Sequence, residues 1–181
     1  MAYFIHMMDR FTDKLLNILC FSLLICVFIS AANALVRKFL GFSTNAFLEI
    51  QWVLYSMVFL YGGSVLLKKE GHIRIDIFYD HYTEKTKNIL NIILHSLLTL
   101  PIFCFLFYHA FTFWVSSFMP QEAREYWYYY LFYDHSHMEW SPNAGGLPTI
   151  FAKFLLPSSI ILMILQIISL VAKNIMTLFQ K

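Results

Sequence analysis

Charge is scarce in this chain: of 181 residues, 13% are Asp, Glu, Lys or Arg, while 59% are hydrophobic. Soluble domains carry roughly 25% charged residues, so an ordinary water-soluble domain is excluded. A mean hydropathy of +0.61 points to a surface that faces lipid. Glycine and proline are also few, 6 and 5, which excludes a linker-like or collagen-like chain. The three cysteines, Cys20, Cys26 and Cys104, all fall in apolar runs and form no C-x-x-C pair. That excludes the four-span disulfide oxidases, which need such pairs, and leaves cysteine as a small packing residue. A Ser–His–acid set, a phosphate-cradling glycine loop and an acidic pair within one apolar run are all missing, so no enzyme is expected. No basic cluster is interleaved with aromatics, so no nucleic-acid partner is expected either.

What the chain does have is long uncharged runs. Residues 15–36, 50–67, 88–121 and 154–172 contain no Asp, Glu, Lys or Arg, in lengths of 22, 18, 34 and 19 residues. A membrane-crossing helix needs about 20 apolar residues. The expected fold is therefore an all-α integral membrane protein, a single domain over 1–181. Its spans are placed at about 15–36, 47–67, 88–119 and 150–172, with a short amphipathic interfacial segment after the second. The first span is expected to remain as an uncleaved anchor. Its apolar run exceeds the roughly 7–15 residues of a signal-peptide core, and Asp9 and Asp13 cancel the charge of Arg10 and Lys14.

Lys and Arg counts set the expected orientation. With both termini in the cytoplasm, Arg10, Lys14, Lys68, Lys69, Arg74, Lys85, Lys87, Lys173 and Lys181 lie inside, nine residues in all. Four lie outside: Arg37, Lys38, Arg124 and Lys153. The expectation is a multi-pass protein of the bacterial inner membrane with cytoplasmic N- and C-termini.

Within the first span Ser22, Cys26, Ser30 and Ala34 recur every four residues, which predicts a small-residue packing ridge. Glu49 falls in the expected first turn of the second span, where a carboxylate suits the helix dipole, with Trp52 at interface level. Gly62 and Gly63 allow close helix contact. Ile73, Ile75 and Ile77 alternate with polar residues, and 76–87 has the mixed pattern of an amphipathic helix at the inner surface. Span three is longer than a bilayer needs, and Pro101 predicts a kink within it.

The segment 121–139 is the oddest. Residues 126–133 hold seven aromatics in eight positions, which suits either the membrane–water interface or a dry protein contact. Asp134, His135, His137 and Glu139 follow. Four potential ligands in six residues have the chemistry for a divalent cation, but an H-x-H in a loop without distant ligands is weak support, and no metal site is expected. Residues 140–148 read as a turn-rich return to the membrane.

A different class of function rests on His95 and His109. Fourteen residues apart in span three, they are expected on one helix face, the spacing of a membrane di-haem electron-transfer subunit. Each haem would need a second axial His, and the other three spans contain none. Interhelical hydrogen bonding is the plainer use of these residues. The small four-span exporters are another alternative, but they depend on an acidic residue inside the first span, which is absent here.

Three stretches together carry a family resemblance. Val36–Trp52, including Phe47, Glu49 and Trp52, resembles the start of the small permease subunit of tripartite ATP-independent periplasmic (TRAP) transporters, the DctQ-like family. Gly71–Tyr79, and Gly145-Gly146-Leu147-Pro148 through Lys153, Pro157 and Leu165-Gln166, are similar to the same family in the same order. The likeness covers about 15–175 and is greatest to the mannitol/chloroaromatic-type branch. It departs at 121–139, where the aromatic, His-bearing periplasmic insertion intervenes.

The resemblance implies a non-catalytic small subunit without a cofactor of its own. Its implied partners are the lipid bilayer, a large permease subunit that uses the sodium gradient for organic acid uptake, and a periplasmic substrate-binding protein. Glu49, Trp52, His72, Arg74, Asp76, Gly146, Pro148 and Pro157 occupy its motif positions, which implies structural or subunit-contact roles for them.

Overall fold

A computed structural model describes residues 2–41, 45–69, 82–119, 127–132, 138–143 and 145–179. Among these the secondary structure is helical: α1 (Ala2–Leu40), α2 (Asn45–Lys68), α3 (Glu84–Ile93), a π-helical turn (Leu94–Thr99), α4 (Leu100–Val115), α5 (Trp127–Phe132) and α6 (Thr149–Phe179). α3, the π turn and α4 are continuous. Four stretches are long and apolar enough to cross a membrane: Tyr3–Leu40, Asn45–Lys68, Lys85–Val115 and Thr149–Leu178.

The buried positions of α1 run Ile5, Met8, Thr12, Leu15, Leu19, Ser22 and Cys26, alternating steps of three and four. This 3.5-residue repeat keeps one seam against neighbouring helices, as in left-handed coiled packing. Along the four-residue ridge, Ser22 and Cys26 are buried, Ser30 is half-buried and Ala34 is exposed. The reason is geometric: each step of four over-rotates an α-helix by about 40°, so the ridge drifts off the seam.

Polar contacts set the antiparallel register. The Lys68 ammonium at the end of α2 donates to the Asp9 carbonyl (2.8 Å) and to Asp13 Oδ1 (2.6 Å) near the start of α1. Deep between α1 and α6, Thr12 Oγ1 donates to Gln166 Oε1 at 3.0 Å, and both residues are almost fully buried. Asn88 Nδ2 of α3 donates to Thr177 Oγ1 of α6 at 3.2 Å. The beginnings of α1 and α3 and the ends of α2 and α6 therefore share one end of the bundle.

α6 is the central helix, packing against α1, α2, α3 and α4. Leu15 and Leu19 of α1 meet Val65 of α2, with Leu162 of α6 alongside. Leu67 of α2 meets Ile167 and Leu170 of α6, with Leu100 and Phe103 of α4 alongside. Where α2 and α6 approach closely, the Cα of Gly63 faces the Met163 thioether, and a Cβ there would stand 3.0 Å from Met163 Cε. The third crossing reaches the bundle chiefly through α6, and only 6% of its apolar window is buried, against 33% for the fourth.

Around Pro101 the irregularity takes the form of the π turn just before it. Proline lacks an N–H and crowds the carbonyl four residues back. The chain widens there: the Leu100 N–H bonds the His95 carbonyl, and Thr99 Oγ1 donates to the Leu94 carbonyl at 3.3 Å. α4 ends at Val115, and 116–119 turn back with the Ser117 N–H on the Trp114 carbonyl. Of the expected interfacial segment, 76–81 lie outside the described residues. Residues 84–87 begin α3 instead, behind Thr83, whose side chain caps the Thr86 N–H.

Candidate functional site

The most organised polar cluster lies at the end of the bundle opposite the termini, around Glu49. α2 starts at Asn45, two residues before the expected start, so Glu49 stands just past the first turn and not within it. It is buried at 9% exposure and reaches across to the 141–147 turn instead of capping its own helix. Its Oε1 accepts from the Ser141 hydroxyl and, at 3.0 Å, from Asn143 Nδ2. Its Oε2 accepts the Leu147 backbone N–H at 2.6 Å. A carboxylate is acceptor-only, and all three partners present donors. Bonds of this charge-assisted kind are the strong ones.

The turn is shaped to deliver those donors. The Ser141 N–H bonds the Leu147 carbonyl at 3.1 Å, and the Gly146 N–H bonds the Asn143 carbonyl at 3.0 Å. Gly145 takes φ +72°, a left-handed conformation that a Cβ disfavours. Gly146 is required for space: a Cβ there would lie 2.6 Å from Ser141 Cβ and 2.7 Å from Glu49 Oε1. Trp140 and Pro148 pair antiparallel at the base of the turn.

The same segment is fastened to two further helices. The Glu139 N–H donates to the Ser117 carbonyl beyond α4 at 2.8 Å. The Glu139 carbonyl accepts from the Thr149 N–H (3.0 Å) and hydroxyl (3.1 Å) at the start of α6. The Glu139 carboxylate pairs with Lys153, whose ammonium sits 4.5 Å from the centre of the Phe113 ring. Residues 139–143 and 145–149 thus form a clasp joining α2, α4 and α6.

Beside the clasp, Trp114, Val115, Phe118, Met119 and Ile150 form a compact core. Tyr130 and Leu131 of α5 pack on it, while Tyr128 and Phe132 are exposed at 52% and 71%. The aromatic segment therefore supplies both a dry contact and an outward aromatic face.

Both oxygens of Glu49 are engaged within the chain, so the group is built as an anchor. An open apolar groove of about 280 Å³ adjoins it, lined by Trp52, Val53, Ser56, Pro142, Pro148 and Ala152. Trp52, 62% exposed, stands at its rim. Pro157 is buried within α6, away from the clasp. Next to it Ser158 Oγ donates to the Phe154 carbonyl at 2.7 Å and meets the Tyr61 hydroxyl at 2.7 Å. His72, Arg74 and Asp76 lie outside the described residues, as do Asp134, His135 and His137.

Of the motif positions, the structure brings Glu49 and Gly146 into contact, with Pro148 alongside. Ser141, Asn143 and the Leu147 N–H were missed as its partners. The only signal in the sequence is a carboxylate at a span edge, which needs donors, and a hydroxyl and an amide in the one turn-rich segment of the same side.

The haem reading is not supported. The π turn Leu94–Thr99, which contains His95, takes about one extra residue per turn and breaks the four-turn spacing to His109. His95 is half-buried, whereas His109 is exposed with its ring 4.4 Å from that of Phe105. Among the described residues no three His, Cys, Asp or Glu side chains are grouped to hold a metal ion.

Comparison with protein families matches residues 25–177 to the family described as tripartite ATP-independent periplasmic transporters, DctQ component. Comparison with curated proteins and with solved structures finds no match.

Proposed function

The chain belongs to the DctQ component family of the tripartite ATP-independent periplasmic transporters, and from this premise we propose that it is the non-catalytic scaffold of such a system. In this reading it sits in the inner membrane with both termini in the cytoplasm. It holds a large permease subunit that performs sodium-coupled uptake of an organic acid delivered by a periplasmic binding protein.

The observation that carries the scaffold role is the bareness of the third crossing, 6% buried within the chain over its apolar window. A helix attached mainly along one side leaves a long apolar surface for a membrane partner, where close packing drives association. The state of Glu49 agrees with this. Intramembrane acids commonly mark ion pathways, but this one is consumed by the clasp. Coupling ion and substrate are then left to the partner subunit.

Affinity purification from native membranes should recover a large multi-span permease with the chain. A chain that purifies alone and drives sodium-dependent uptake in liposomes would overturn the proposal.

A further inference from the structure

Along the first three turns of α1 two ridges run side by side. His6, Arg10 and Lys14 form a polar one that carries two cations, four residues apart, and Tyr3, Met7 and Phe11 form an apolar one at the same spacing. At 100° per residue these six side chains share one contiguous face. They line an open groove of about 530 Å³. All six are exposed, while Ile5, Met8 and Thr12 on the opposite face are buried.

At the same 100° step Asp9 and Asp13 fall outside this face, on the side of Lys68. Asp13 pairs with Lys68, and the Asp9 carbonyl accepts from the same ammonium. Among the described residues no hydrogen bond or ion pair engages Arg10 or Lys14. Their height is set by Lys68, where α2 ends, and by Leu15, where the uncharged run begins. That is headgroup level for a helix crossing a bilayer. The face continues inward as the exposed side chains Ile18 and Phe21.

From this charge complementarity at the membrane boundary we propose that the groove is a binding site for one anionic phospholipid. Arg10 and Lys14 hold the phosphate, and the His6 imidazole adds a hydrogen bond. Phe11, at the depth of the phosphate, covers the glycerol end of an acyl chain that then follows Ile18 and Phe21, while Tyr3 and Met7 lie further out beside the headgroup. Arg10 and Lys14 supply the preference for a negative headgroup, and the apolar ridge supplies buried area. The site is independent of the scaffold role and of which side of the membrane α1 starts on.

Native mass spectrometry of the intact chain, titrated with phosphatidylglycerol or phosphatidylcholine of equal chain length, tests it. The expected result is retention of phosphatidylglycerol over phosphatidylcholine. R10Q/K14Q should weaken retention on the order of tenfold, while K85Q/K87Q, an equal charge change elsewhere, should leave it intact. Phe11→Ser, which keeps both charges, should also weaken it, so the test survives if the double variant misfolds. Equal binding of the two lipids, an equal loss in K85Q/K87Q, or no effect of Phe11→Ser would overturn the proposal. So would unchanged lipid retention in R10Q/K14Q together with loss of a co-purifying permease, which would make the ridge a protein contact.

Discussion

Glu49 meets its partners across 92 to 98 residues of chain, and what selects them is complementarity of donors and acceptor. Truncation in Glu49→Ala leaves the Leu147 N–H without its acceptor and frees the turn. The thermal unfolding midpoint of the purified chain should fall, by roughly 5 °C or more. Glu49→Gln should fall less, because its carbonyl can still accept from Leu147 while the Ser141 hydroxyl rotates and the Asn143 amide flips. A midpoint for Glu49→Ala equal to that of the unsubstituted chain would show that the clasp does not depend on this residue. Gly146→Ala tests the other side of the same contact. A Cβ 2.6 Å from Ser141 Cβ forces the turn away from Glu49, at a cost of about 1–3 kcal/mol. Protease cleavage near 141–147 should accelerate in parallel.

Among the elements, α5 divides most clearly into two faces. Tyr130 and Leu131 lie against the Trp114 and Phe118 core, and Tyr128 and Phe132 point outward. A Tyr130→Ala, Leu131→Ala variant should lose about 2 kcal/mol or more of stability, read by chemical denaturation in detergent. A Tyr128→Ala, Phe132→Ala variant should leave stability unchanged, and any phenotype it has should appear in membrane or partner association. α3 and α4 show how one proline reshapes an element. The sequence predicts a kink at Pro101, and the chain answers with a π turn five residues long in its bonding, which also separates His95 from His109. The four-residue ridge of α1 is similar: the repeat is visible in the sequence, but seam geometry admits only its first half, Ser22 and Cys26.

For the whole molecule, the antiparallel contacts put the start of α1, the end of α2, the start of α3 and the end of α6 together, and the clasp at the other end. The proposed orientation places the clasp outside. In a variant lacking Cys20, Cys26 and Cys104, Trp140→Cys should react with a membrane-impermeant thiol reagent from the outer face of the inner membrane. Lys14→Cys should react only after permeabilisation. The reverse pattern would invert the topology.

Much of this architecture is legible in the sequence because it depends on solvent preference alone. Uncharged runs of 18 to 34 residues cannot be satisfied in water, and the backbone groups of a run in lipid must bond internally, so helices follow without knowledge of neighbours. Which faces those helices bury, by contrast, is a matter of contact geometry. Lipid is as apolar as a leucine, so hydrophobicity does not distinguish a packed face from a bare one, and the exposure of the third crossing could not be read in advance. The Glu49 clasp, the Thr12–Gln166 pair and the Lys68–Asp13 pair join residues far apart in the chain, and such pairings carry no local periodicity. The sequence by itself determined four membrane-length helices and the family. Only the tertiary structure decided that Glu49 serves as an anchor, because a carboxylate's role is set by the donors that folding brings to it.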